Sequence, residues 1–247
     1  MFDIIIRPSV LHVDCFTACV PAYEYAPIEN ATKFYPEWWK KLPKESLGHQ
    51  PKPWIPQPTM KSCQGFIDSY RNSLIMPMWS DTLIKVNENN LDVTFSHNWF
   101  HQSHDYFQRE GYLKNFHHLK IISPWIFKTK QDIYWSFKKP IYNFENPLDF
   151  LLFEGVIEFK YQHSTNINIG IKKINKTIKL NFRDPIVLLT PHTEKKIKFK
   201  NHFVDSMEKF QMLSDKASAG TVFVGKYLNN RRIKKQQEQE KKCPFHF

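Results

Sequence analysis

From residue 61 onward the chain changes character at every second position, and this period limits the fold more than any other feature. Leu91, Val93 and Phe95 alternate with Asp92, Thr94 and Ser96. Ile133, Trp135 and Phe137 alternate with Tyr134 and Ser136, and Ile167, Ile169 and Ile171 alternate with Asn166, Asn168 and Gly170. Val156–Tyr161 and Ile178–Phe182 follow the same rule. Successive side chains of a strand point to opposite faces, so each run reads as a half-buried antiparallel strand. The fuller apolar run at 185–190 reads as a central strand. Many short strands separated by turns predict a mainly β protein, an antiparallel β-sandwich or barrel, and argue against a βαβ fold. With 21 Phe, 10 Tyr and 7 Trp, its core can be built from rings.

The flanks read differently. Ile4, Ile5 and Ile6 suggest a short buried strand. Prolines from Pro21 to Pro58 then interrupt regular structure, and Trp38, Trp39 and Trp54 lie among them. This composition predicts an N-terminal arm packed on the body, with the three indoles largely buried. After the sandwich, Phe203, Met207, Phe210 and Leu213 are spaced as a helical stripe, with Asp205 or Ser206 as its cap. Beyond Asn229 the only large apolar residue before Cys243 is Ile233. Such a segment buries too little to offset its ordering entropy, so a solvated tail dispensable for folding is expected. The organisation is therefore an N-terminal strand and Pro/Trp-rich arm at 1–60, a sandwich at 61–200, a C-terminal helix at 201–228 and a basic tail at 229–247.

Several function classes find no support. No GxGxxG or GxxxxGK[ST] loop occurs, and the chain has only 7 glycines. Cys15, Cys19, Cys63 and Cys243 form no CxxC pair and suggest neither zinc nor a disulfide framework. Cys15 and Cys19 are expected in an apolar patch with Phe16 and Val20. The opening MFDIIIRPSV lacks an apolar leader core, and no stretch is long enough to span a membrane, so a reducing cytoplasm is the expected compartment. The formal net charge of +11 points to anionic partners. From Lys226 to the end, seven basic residues stand against two acidic ones. Arg231, Arg232, Lys234 and Lys235 are the residues expected to meet a nucleic acid or an acidic protein.

The densest set of chemistry-bearing residues is His97, His101, His104 and Asp105, followed by Glu110, His117 and His118. Imidazoles four residues apart share a helix face, and two with a carboxylate can hold a divalent metal such as Fe(II). His12-x-Asp14 has the HxD form of 2-oxoglutarate oxygenases but sits too near the N-terminus to match their arrangement. Glu154 and Glu158 read as a polar outer sheet face. Trp125, Phe127, Tyr134 and Trp135, with Lys128, mix rings with base, as single-strand binding faces do, yet core is the expected role for these rings.

Four stretches carry a resemblance: KSCQGFIDSYRNSLIMPMWSD, SPWIFKTKQDIYWSFKKPIYNF, LFEGVIEFKYQHSTNINIGIKK and RDPIVLLTPHTEKK, all within residues 61–196. They resemble an uncharacterised family of bacterial and tailed-phage proteins, a domain of unknown function, and PEWWKKLP is similar to the N-terminal arm of its phage-borne members. Lys128-Thr129 keeps a basic-Thr pair of that pattern, while Arg183-Asp184-Pro185-Ile186 lacks its glycine. The resemblance implies a cupin-like or jelly-roll-like sandwich and a phage or marine bacterial origin, and it assigns no catalytic residue. The leading functional expectation is a non-catalytic binding or accessory protein. The alternatives are a cupin-like metal enzyme using residues 97–118 and a nucleic-acid binder acting through the tail.

Overall fold

The structure is a computed structural model and describes residues 10–47, 55–103, 112–161, 164–213 and 231–237. The expected strand at Ile4–Ile6 and the indole of Trp54 lie outside these residues. In chain order the first strands are β1 (Val10–Thr17), β2 (Glu29–Asn30), β3 (Glu45–Ser46), β4 (Gln57–Pro58), β5 (Leu74–Pro77), β6 (Thr82–Val86), β7 (Leu91–Phe95) and β8 (His101–Ser103). The rest are β9 (Phe116–Lys128), β10 (Tyr134–Lys138), β11 (Leu151–Leu152), β12 (Gly155–Glu158), β13 (Ser164–Lys172), β14 (Lys176–Leu180), β15 (Pro185–Pro191) and β16 (Lys196–Phe203). Short helices are α1 (Val20–Glu24), α2 (Glu37–Lys41), α3 (Gln64–Arg71), α4 (Met207–Leu213) and α5 (231–237).

The fold is mainly β, as the alternation predicts. A six-stranded sheet runs β11-β13-β9-β1-β16, with β8 also on β9, and a five-stranded sheet runs β12-β10-β15-β5-β2. Both contribute to one core, where Leu11 and Ile169 of the first meet Trp135 and Leu189 of the second. Ile84 and Ile178, from the three-stranded sheet β14-β6-β7, join it. Trp79, Trp125 and Trp135 are fully buried. At about 25 cal/mol per Å², an indole removing roughly 200 Å² from water contributes about 5 kcal/mol.

Four expectations need correction. Pairing is not wholly antiparallel, because β1 runs parallel to β16 from Val10 opposite Lys196 to Thr17 opposite Phe203. β1 also pairs with β9, so the N-terminal segment supplies an inner strand of the large sheet, not only an arm. The stripe from Phe203 is not one helix. Phe203 ends β16, and α4, capped through Ser206, buries no residue. Of the arm indoles, Trp39 is buried against Phe66 and Lys61 while Trp38 is 42% exposed. Trp38 is still held, its indole N–H donating to the Tyr142 carbonyl at 3.0 Å.

Candidate functional site

The alternation of β1 sends Leu11, Val13, Cys15 and Thr17 into the core and His12, Asp14 and Phe16 outward. β16 repeats the pattern. Ile197 and Phe199 pack on the core while Lys196, Lys198, Lys200 and His202 face out. Register sets these outward side chains shoulder to shoulder: His12 beside Lys198, Asp14 beside Lys200, Phe16 beside His202. On the other flank, Lys128 of β9 stands opposite Asp14.

A cleft of 650 Å³ opens on this face, lined by His12, Asp14, Phe16, Lys128, Lys130 and Gln131, with Thr129 at its wall. That is within the roughly 300–1,000 Å³ of small-ligand sites. The Phe16 and His202 rings stack at 4.7 Å, and His202 Nε2 lies 2.7 Å from Asp14 Oδ1. Lys128 Nζ sits over the Phe16 ring, 6.0 Å from its centre. β1 lies between β16 and β9, so His202 and Lys128 flank Phe16 from opposite sides. Gln131 Nε2 donates to the Val10 carbonyl at 3.1 Å, while its Oε1 is buried with no hydrogen-bond partner. Among the described residues Lys196, Lys198 and Lys200 have no ion-pair partner. Among the described residues the face thus carries Lys196, Lys198 and Lys200, with Lys128 and Lys130 at the cleft, and the carboxylate of Asp14.

A second charged cluster lies at the edge of the five-stranded sheet. Glu158, opposite Tyr134 in the β10–β12 pair, is 1% exposed. Its carboxyl is in hydrogen-bond contact with that of Asp132. Tyr161 and Lys160 both donate to Asp132, at 2.8 and 3.1 Å. Arg231 of α5 reaches Glu158 Oε2 at 3.1 Å, donates to the Tyr134 hydroxyl and lies over its ring, and Lys235 lies over the Tyr161 ring. Burial pushes the Glu158 carboxyl up, against the pull of Arg231 and Lys235. Burial also acts upward on Asp132, but hydrogen bonds from Tyr161 and Lys160 outweigh it and hold that carboxyl below its ordinary value. The paired carboxyls of Asp132 and Glu158 under the Arg231 guanidinium make an anchor for α5.

The residues expected from sequence fare unevenly. His97 is bound to its own neighbourhood, its backbone N–H donating to Ser80 Oγ and its ring 3.2 Å from Ser96 Oγ, while the His101 ring leans on Phe95. His104 and Asp105 lie outside the described residues, and among the described residues no three His, Cys, Asp or Glu groups come together as metal ligands. Trp125, Phe127 and Trp135 are core, as expected, whereas Tyr134 is exposed, on the edge where Arg231 lies over its ring. Cys15 is fully buried, and burial pushes its thiol well up, away from nucleophilic use. Glu158 is not on an outer polar face. Arg231 is turned inward, whereas Arg232 and Lys234 are exposed. The basic sheet face escaped sequence reading, although the alternation Lys-Ile-Lys-Phe-Lys-Asn-His at 196–202 was its available signal.

Searches against protein-family models and against curated proteins returned no match. No helix among the described residues is long and apolar enough to cross a membrane.

Proposed function

We propose that the protein is a non-catalytic binding protein that holds an anionic ligand on the outer face of its six-stranded sheet, centred on the cleft beside Phe16. The observation carrying this reading is the outward row Lys196, Lys198 and Lys200, which have no ion-pair partner among the described residues, with Lys128 on the other flank of β1. Lysines at alternate strand positions stand about 6–7 Å apart on a rigid ladder, so their charge is fixed in place and their fields add. The metal-enzyme alternative gains nothing from His97 and His101, which engage Ser96 and Phe95. A direct test measures binding of labelled oligonucleotide and inorganic polyphosphate against salt. Wild type is expected to bind with affinity that falls steeply as salt rises. Absence of binding to either polyanion at low salt would remove the reading.

A further inference from the structure

Resting on that reading, we infer that the cleft is a seat for an unpaired base, and that the ligand of this face is single-stranded nucleic acid. Charge alone would accept any polyanion, but the cleft has two features that polyphosphate does not use. The first is Phe16, a ring held upright by its stack on His202, with its other side toward Lys128 and the cleft. A base stacked there gains from the ring whatever its sequence, and its phosphates fall among the lysines of β16 and β9. The second is Gln131, whose Oε1 is a buried acceptor without a partner at the cleft wall. Such an acceptor is costly when left alone. It calls for an N–H donor, which every nucleobase but no phosphate chain provides at neutral pH. Unpaired bases expose both their ring faces and these N–H edges, whereas a duplex stacks the faces away.

The geometry also limits the length of strand held. Lys196 to His202 spans about 20 Å along β16, enough for a few nucleotides. The His202–Asp14 contact keeps the His202 ring in the plane on which Phe16 rests. Both residues therefore act by positioning Phe16.

The experiment is fluorescence anisotropy with the full chain. The probes are a single strand of about a dozen nucleotides, as DNA and as RNA, the same strand with abasic sites, a hairpin duplex, polyphosphate and polyglutamate. The intact single strands are expected to bind at least about fivefold more tightly than the abasic strand, the low end of the stacking gain per base. Phe16→Leu should erase that preference and keep the salt-dependent binding, while Phe16→Tyr should keep both. A loss in Phe16→Leu that Phe16→Tyr shares, with unchanged melting temperatures, would count against stacking. Equal binding of intact, abasic and duplex probes, or equal binding of polyglutamate, overturns the base seat and leaves the charged face standing. No binding by any probe overturns the charged face itself.

Discussion

Two parts of this molecule are rich in cations, and they use them in opposite ways. On the outer sheet face, Lys196, Lys198 and Lys200 stand in a row with no ion-pair partner among the described residues. At the β10–β12 edge, Arg231 and Lys235 meet the paired carboxyls of Asp132 and Glu158 and two tyrosines. The β16 lysines leave positive field pointing into solvent, and the second arrangement consumes it to hold α5 on the body. Counting basic residues along a chain therefore says little about where an anionic partner binds. What decides is whether register or packing has already supplied each cation with a carboxylate.

The largest effect that separates the two regions is on binding. Reversing Lys128, Lys198 and Lys200 to Glu is expected to weaken oligonucleotide binding by about a hundredfold or more at low salt, since each lost phosphate contact also removes counterion release. The melting temperature should move by no more than about 2 °C, because exposed charges contribute little to stability. A variant that still binds within about threefold of wild type would break the comparison.

Next comes the opposite variant. Arg231→Ala leaves the Glu158 carboxyl buried without its guanidinium, and an expected loss of about 2 kcal/mol follows. That is below the roughly 3–5 kcal/mol of a fully buried pair, because Arg231 keeps some exposure. For a chain of this size it amounts to about 4–8 °C in Tm. Truncation after Leu228 should give a similar loss, in contrast to the dispensable tail that composition suggests. An unchanged Tm in both would return the tail to solvent. Oligonucleotide affinity is expected to stay within about twofold.

Smaller still is the pH dependence of the corner, where the two carboxyls act with opposite sign. Asp132 is held low, so its contribution is present above the ordinary carboxylate value and fades as pH falls through its folded value. Glu158 is held high, so its contribution is present in acid and fades as pH rises through its folded value. Urea unfolding from about pH 3 to pH 7 should show Asp132→Asn losing ground to wild type as pH rises, and Glu158→Gln gaining ground. Parallel curves for all three proteins would deny the coupling. The least effect is expected from Arg232→Ala with Lys234→Ala, within about 0.5 kcal/mol in stability, as for other surface changes, and about twofold in binding.

The contrast also explains what the sequence made legible. Alternation located β7, β10, β13 and β14 because each turns an apolar row toward the core, and the apolar run located β15. It misled at Glu158, since β12 ends there and the adjacent Glu158 and Phe159 are both buried, breaking the period. The partner that makes this burial tolerable, Arg231, is far along the chain and leaves no local signal. Trp38 and Trp39 are adjacent and chemically equal, and Trp39 goes in through its stack on Tyr35 and its contact with Lys61. The basic face needed the β1–β16 pairing, which joins two segments whose individual patterns are ordinary.

That pairing also sets a clock. β1 finds its parallel neighbour only when residues 196–203 have been made. At about 5–20 residues per second, synthesis keeps Val10–Thr17 waiting on the order of ten seconds or more, and long-range contacts of this kind slow folding even for the finished chain. β9, its other neighbour, arrives earlier but pairs with it only from Asp14 to Phe16. A nascent chain arrested before Lys196 is thus expected to leave β1 open to protease attack and to association with other chains, and release of the last strand to close that window.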